Sequence, residues 1–427
     1  MDRRWLVLAG FLGASFAAAA GAVAAEITDV ADAADTVRIG TYERSKLFSL
    51  YLDDSFEFLS ESGKITREPI NLPNRSSGCS DTTARACAPI DELRYARTTM
   101  TYHVRGQVGL YQDLALTFGW SYVVNQSTTF RYANGVNAAN STVDSSDPAV
   151  GTLFPHNFKS THKGSGAVEL GLRFAPLSDE RDESKPMWVL AFNWAAPWAA
   201  KTYNPAKPAT KSDPGSVGDG INYLTFSTAL SKRLGDFGTI ATDANANRRG
   251  YLDPYIEVAY VYPSPGGQAL APLASGPFAR SPSQQVKLST GFEVVPYEDL
   301  RGGHKLAFDF GLRSTMFTAG RNYSELTDPL GRLTYTDPYL YVGGILAMYV
   351  QLAPVMRLKL GATVGYNTPH LLTNEKPGGA VPNPYYCGPA EAAVCARGAL
   401  PYDQVGMRFR DQEHLLWGGF GSLMFTF

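Results

Sequence analysis

Period-two alternation of apolar and polar residues, repeated along most of the chain, is what most narrows the folds open to this sequence. In residues 304–318, Leu306, Phe308, Phe310, Leu312 and Met316 share one face, opposite Lys305, Asp309, Arg313 and Thr315. Residues 283–296 set Val286, Leu288, Phe292 and Val294 against Gln285, Lys287, Ser289 and Glu293. The pattern recurs in 114–131 (Leu114, Leu116, Phe118, Trp120, Tyr122), in 163–175 (Val168, Leu170, Leu172, Phe174) and in 355–368 (Leu358, Leu360, Ala362, Val364). Successive side chains of a strand point to opposite faces, so each segment reads as a strand with one apolar side. Further segments at 39–58, 93–110, 187–200, 219–234, 251–262, 335–352 and 413–427 bring the expected number to twelve, with ten to fourteen compatible.

Alternation alone does not separate a membrane barrel from a soluble sandwich, whose strands also alternate. The connections do. Counted back from the C-terminus, long gaps alternate with short ones: a long gap before 413, a tight turn at 352–355, and earlier a long 59–92, a tight 111–113 and a long 132–162. Transmembrane barrels have this asymmetry, with short periplasmic turns and long external loops. The gaps at 176–186 and 235–250 are longer than that rule prefers. The expected fold is therefore all-β, a single antiparallel up-and-down transmembrane barrel over residues 26–427. A mean hydropathy of −0.16 is compatible, because lumen-facing residues and loops dilute the lipid-facing half of every strand.

The last segment, Leu415 to Phe427, carries Leu415, Trp417, Gly419, Gly421, Leu423, Phe425 and Phe427 on one face and ends on an aromatic residue. It resembles the closing strand of Gram-negative outer-membrane β-barrels, whose terminal aromatic is read by the barrel assembly machinery. The resemblance implies an outer-membrane location, lipid and that machinery as partners, and closure through Trp417, Phe425 and Phe427. With an even strand count both termini face the periplasm and the long loops face outward. The strand at 39–58 is then the expected neighbour of the last one.

Residues 1–25 read as a secretory signal peptide, with Arg3 and Arg4 before an apolar core and Ala22 and Ala24 placed for cleavage. Beyond it no stretch has the ~18 uninterrupted apolar residues of a membrane helix. Cys79 with Cys87 and Cys387 with Cys395 each close a short loop. In an oxidising compartment two local disulfides are expected, since neither pair has C-x-x-C spacing or a nearby histidine for zinc. A net charge of −2 gives no electrostatic case for nucleic acid, and no cofactor motif is present.

If the apolar faces meet lipid, the polar faces line the interior. The inward charges are then Arg97, Arg105, Glu169, Arg173, Lys287, Glu293, Lys305, Asp309, Arg313, Arg357 and Lys359, joined by Asp53, Glu57, Arg131, Arg233, Asp253 and Glu257. An excess of Arg and Lys points to a pore favouring anionic solutes. The expected function is passage of small solutes through the lumen. A structural or surface-exposed barrel with a plugged lumen is the alternative. A barrel hydrolase, built on His103 with Ser49 and Asp53, is the least supported reading, and the chain is read as a non-enzyme.

Overall fold

The structure, a computed structural model, describes residues 50–68, 90–111, 113–144, 152–178, 184–207, 209–235, 248–265, 281–299, 304–353, 355–374 and 408–426. The signal peptide, the four cysteines, Ser49 and Phe427 lie outside them, as do residues 39–49 of the first expected strand.

Twelve long antiparallel strands form one closed barrel. They are β1 (Leu50–Arg67), β2 (Ile90–Tyr111), β3 (Leu114–Tyr132), β4 (Lys159–Leu177), β5 (Met187–Ala196), β6 (Ile221–Ser231), β7 (Arg248–Pro265), β8 (Gln285–Asp299) and β9 (His304–Phe317), followed by three more. Between β9 and the next wall strand lie a small hairpin, β10 (Gly320–Asn322) with β11 (Thr334–Thr336), and one helical turn, α1 (Thr327–Leu330). The wall then continues through β12 (Tyr339–Ala353) and β13 (Met356–Asn367), with β14 (His370–Leu371) prolonging β13, and ends in β15 (Phe409–Thr426). β15 closes the ring on β1, from Tyr51 opposite Thr426 to Arg67 opposite Phe409. Closure pairs the backbone of every wall strand on both sides, the condition for sheet in a medium without water.

The outer surface is apolar where the alternation requires it. Leu312 is 65% exposed, Val364 61% and Trp417 57%, and the rest of this belt includes Phe174, Phe226, Leu288, Phe310 and Leu360. In water such a surface would be an aggregation liability, whereas in a bilayer it is the lipid contact. Connections 112–113, 300–303 and 354–355 are tight and all leave from one end, with the longer 178–186 and 232–247. The six long loops leave from the other end, called here the loop end.

All twelve expected strands are present, most within a few residues of their expected limits. The first differs most, running from Leu50 to Arg67 where 39–58 was expected. Its second half, Ser60 to Arg67, is polar on its outward side, so hydropathy reads it as loop. That half rises past the apolar belt and meets protein on its inner side. Arg131 also differs: it faces outward and is exposed. An irregularity in β3 between Val123 and Gln126 resets which residues point in, so that Thr128 and Phe130 are buried and Arg131 is not.

The wall is incomplete on one side. β5 stops at Ala196 while β4 begins at Lys159, far toward the loop end. There β4 is bonded by the 197–220 loop: Gly215 N–H donates to the Thr161 carbonyl (2.9 Å), Lys163 N–H to Gly215 (2.9 Å) and Thr161 N–H to Ala209 (3.3 Å). The His162–Gly215 bridge is parallel, so this loop serves as a short substitute strand in the wall.

Candidate functional site

Strand alternation turns one side chain in two toward the lumen. A cavity of ≈ 430 Å³ there is lined by residues of all twelve wall strands, among them Asp53, Arg105, Glu169, Arg173, Arg313 and Lys359. Also turned inward are Glu57, His103, Asp253, Glu257, Lys287, Glu293, Lys305, Asp309 and Arg357, by the same alternation. Arg97 faces inward too, but near the loop end, outside this cavity.

The lumen carboxylates are mostly engaged. Asp53 accepts from the Ser422 hydroxyl, Glu169 from Asn193 Nδ2 (3.3 Å) and Asp309 from the Tyr255 hydroxyl (2.7 Å). Glu57 lies 3.5 Å from His103 Nε2, and buried Glu293 lies 3.9 Å from Lys305 Nζ. Lys359 sits over the rings of Tyr349 (4.9 Å) and Phe420 (5.2 Å), where a cation meets the electron-rich ring face. Three cations stand apart: Arg105, Lys287 and Arg313 are solvent-exposed within the lumen and form no hydrogen bond, ion pair or ring contact among the described residues. The cavity lining itself is mixed, with four cationic side chains (Arg105, Arg173, Arg313, Lys359) beside five carboxylates (Asp53, Glu169, Glu257, Glu293, Asp309).

At the loop end the β10–α1–β11 segment folds inward as a cap. Its Leu326 is fully buried against Ile65, Leu93, Phe130, Phe154, Leu372 and Phe409, with Leu330 packed on the same cluster. Fully burying a leucine side chain contributes roughly 1.5–3 kcal/mol. Polar contacts add direction. Arg97 Nη1 lies 3.1 Å from Glu61 of β1 and 3.5 Å from Glu325 of the cap, and its Nε donates to the Thr128 hydroxyl (3.2 Å). His162 Nε2 is 2.8 Å from Asp328 of α1, and its Nδ1 is 3.1 Å from the Ser216 carbonyl. Both ring nitrogens face acceptors, so both bonds form together only when both carry hydrogen. Burial pushes the Asp328 carboxyl up, but the His162 bond and charge, with smaller contributions from Ser160 and Tyr203, together outweigh it and hold the group below its ordinary 3.8. Burial raises Glu325 in the same way, and Arg97 with His414 brings it below its ordinary 4.5.

Beneath the cap lies a smaller cavity of ≈ 220 Å³, lined by Arg97, Gln126, His162, Tyr203, Tyr323 and Asp328. Beside it is a polar group that sequence reasoning missed. His414 Nδ1 lies 2.6 Å from Asp411, 2.8 Å from the Tyr95 hydroxyl and 3.1 Å from Asn367 Nδ2, all buried. Asp411 and His414 meet because Glu413 between them adopts a left-handed conformation (φ 52°), where β15 slips against β1. Alternation read straight through would have placed them on opposite faces.

Of the residues in the hydrolase reading, Ser49 lies outside the described residues. His103 stands opposite Ser55 and pairs with Glu57, while Asp53 stands opposite Arg105 and binds Ser422. Among the described residues no three His, Cys, Asp or Glu side chains are placed to share a metal ion. Of the closure residues, Trp417 and Phe425 lie on the face of β15 that points away from the lumen, paired in register with Ser60 and Leu52.

No protein-family model matches the chain, and no curated protein matches it. Among solved structures, an outer membrane channel from Pseudomonas putida F1 is similar at 10% identity and a TM-score of 0.37, over 92% of this chain and 100% of that one. A Pseudomonas aeruginosa FadL homologue is similar at 10% identity and TM-score 0.32, over 89% and 90%. The outer membrane protease OmpT from Escherichia coli is similar at 9% identity and TM-score 0.28, over 89% and 97%.

Proposed function

We propose that this protein is an outer-membrane channel for small solutes, closed at its loop end in the form described above by an inward-folded cap. The observation that carries the reading is the lumen: a cavity lined from every wall strand and carrying nine charged side chains, inside a cylinder whose outside is apolar. Structural barrels need no solvated interior of that kind, and the exposed cations Arg105, Lys287 and Arg313 favour a lumen meant to hold water and solute. The cap is held by side-chain contacts and by backbone bonds to loop residues outside the wall, Arg321 N–H donating to the Ser281 carbonyl (2.6 Å) and Asn374 N–H to the Tyr335 carbonyl (3.0 Å), so it can move without breaking the wall ladder. The loop end faces the exterior in this reading, with both chain termini on the periplasmic side.

A plugged structural barrel is the second reading, favoured by the apolar cluster under the cap. Purified protein in liposomes separates the two. A channel admits small sugars and amino acids in a swelling assay, and replacing residues 320–336 by a short Gly-Ser linker raises the rate. A barrel that stays impermeable with the cap removed, while still folded, overturns the channel reading and leaves the structural one.

A further inference from the structure

The unengaged lumen donors are not scattered. Ser289 of β8 stands opposite Arg313 of β9, and Lys287 stands opposite Thr315, so Lys287 and Arg313 are diagonal neighbours on one inward face. Like charges at that spacing, about 7–8 Å between backbones, repel unless something lies between them. Tyr341 completes the patch. Arg313 is in register with Gly343 of β12, and a side chain at Gly343 or Gly365 would collide with the Tyr341 ring, so these glycines let the ring lie flat beside Arg313. The Tyr341 hydroxyl has no partner among the described residues. Arg105 faces the same space from the other side, since Glu57 is within electrostatic reach of both Arg105 and Arg313.

Chemically, the patch is rich in donors, and its acceptors are the carboxylates Glu257 and Glu169, which lie within electrostatic reach of Lys287. The guanidinium fork, the ammonium and the phenol form no hydrogen bond or ion pair among the described residues, while Asp53 accepts from Ser422, Glu169 accepts one bond from Asn193 and Glu57 lies 3.5 Å from His103. Glu257, across Ser289 from Arg313, is the one acid close by for which no bond forms among the described residues. A ligand suited to such a patch brings acceptors and negative charge, and arginine presents its N–H groups in a fork that matches two oxygens at once.

We propose that Lys287, Arg313 and Tyr341 form a binding site for a small oxyanion, a carboxylate or phosphate group, in the lumen, with Arg105 completing it from across the barrel. This deepens the channel reading by naming the class of solute and rests on that reading for its role in transport. Binding itself is testable without transport. The full chain in detergent is titrated calorimetrically with inorganic phosphate, acetate and alanine, beside Arg313→Gln, Lys287→Gln and Tyr341→Phe. The outward-facing Arg131→Gln serves as control. Each variant is first checked for the barrel's resistance to unfolding on an unheated gel.

The expected result is saturable binding of phosphate or acetate, weakened roughly tenfold or more by either charge-removing variant and less by Tyr341→Phe. Phosphate alone or acetate alone identifies which oxyanion the site takes. Binding of alanine but of neither anion overturns the proposal, assigning the patch to zwitterions through Glu257. Absence of binding, or binding equal in all folded variants, also overturns it. Bilayer recordings under a salt gradient separate the two levels: conductance without anion preference sinks only the oxyanion site, and no conductance even without the cap sinks the channel.

Discussion

Replacing Arg97 by methionine tests what holds the cap. Arg97 stands between Glu61 on the wall and Glu325 on the cap, whose side chains are each 13% exposed, and no other cation contacts either carboxylate among the described residues. Methionine keeps most of the aliphatic stem but leaves the two carboxylates facing each other. Removing one partner of a buried ion pair costs about 3–5 kcal/mol. With some solvent left around these groups, about 3 kcal/mol is the better figure. Glu61 is fixed in the β1 ladder, so the strain is relieved by the cap leaving, and the cost falls on docking. That weakens docking by a factor of more than about 100. The assay is the open probability of single channels in planar bilayers, expected to rise sharply for Arg97→Met. Adding Glu325→Gln removes one of the opposed charges and should restore part of the closure. Unchanged open probability in a folded Arg97→Met barrel would refute the latch, and loss of the barrel itself would show that Arg97 holds the wall.

Three further outcomes are expected. Leu326→Ala, at a fully buried position of the cap, should cost about 2–5 kcal/mol of docking and raise liposome permeability without lowering the unfolding midpoint of the wall; a change in the wall midpoint alone would contradict it. Acidification should also open the cap. Glu325 and Asp328, faced by Arg97, Glu61, His162, His370, Asp411 and His414, are held below their ordinary 4.5 and 3.8, so their contribution is complete above those values and is lost as pH falls beneath them. Conductance that rises below about pH 4 agrees with this, and a flat profile does not. Leu312→Lys, on the lipid-facing side of β9, should destabilise the barrel by about 2–4 kcal/mol in urea unfolding from lipid, less if this level lies near the interface.

The wall was legible because lipid on one side and solvated lumen on the other impose period two on strand after strand, as in β8 and β9. What escaped was whatever breaks the period locally. The slip in β3 turned Arg131 outward, and the left-handed Glu413 brought Asp411 and His414 together; neither residue pattern announces itself. The cap escaped for another reason: strands of three residues and a single helical turn carry no periodicity. One signal was nevertheless present. Phe154, Leu326, Leu330 and Leu372 are apolar residues in loops that should otherwise be polar, and all four pack in the cap cluster. The partnerless Lys287 and Arg313 could be placed inside from sequence, but their lack of partners follows only from where the neighbouring side chains go.

The seam between β1 and β15 joins the two ends of the described chain, and the cap cluster is built on it. Ile65 and Phe409 come from opposite sides of that seam, Arg67 lies over the Phe409 ring (4.8 Å), and Arg408 grips Glu68 through two bonds (2.8 and 2.7 Å). The platform for Leu326 is therefore incomplete until the first and last strands have met. This sets an order of assembly: the ring closes first, the cap settles last, and a settled cap then clamps the seam against reopening. A barrel caught before closure should expose the cap segment to protease, and one caught after it should not.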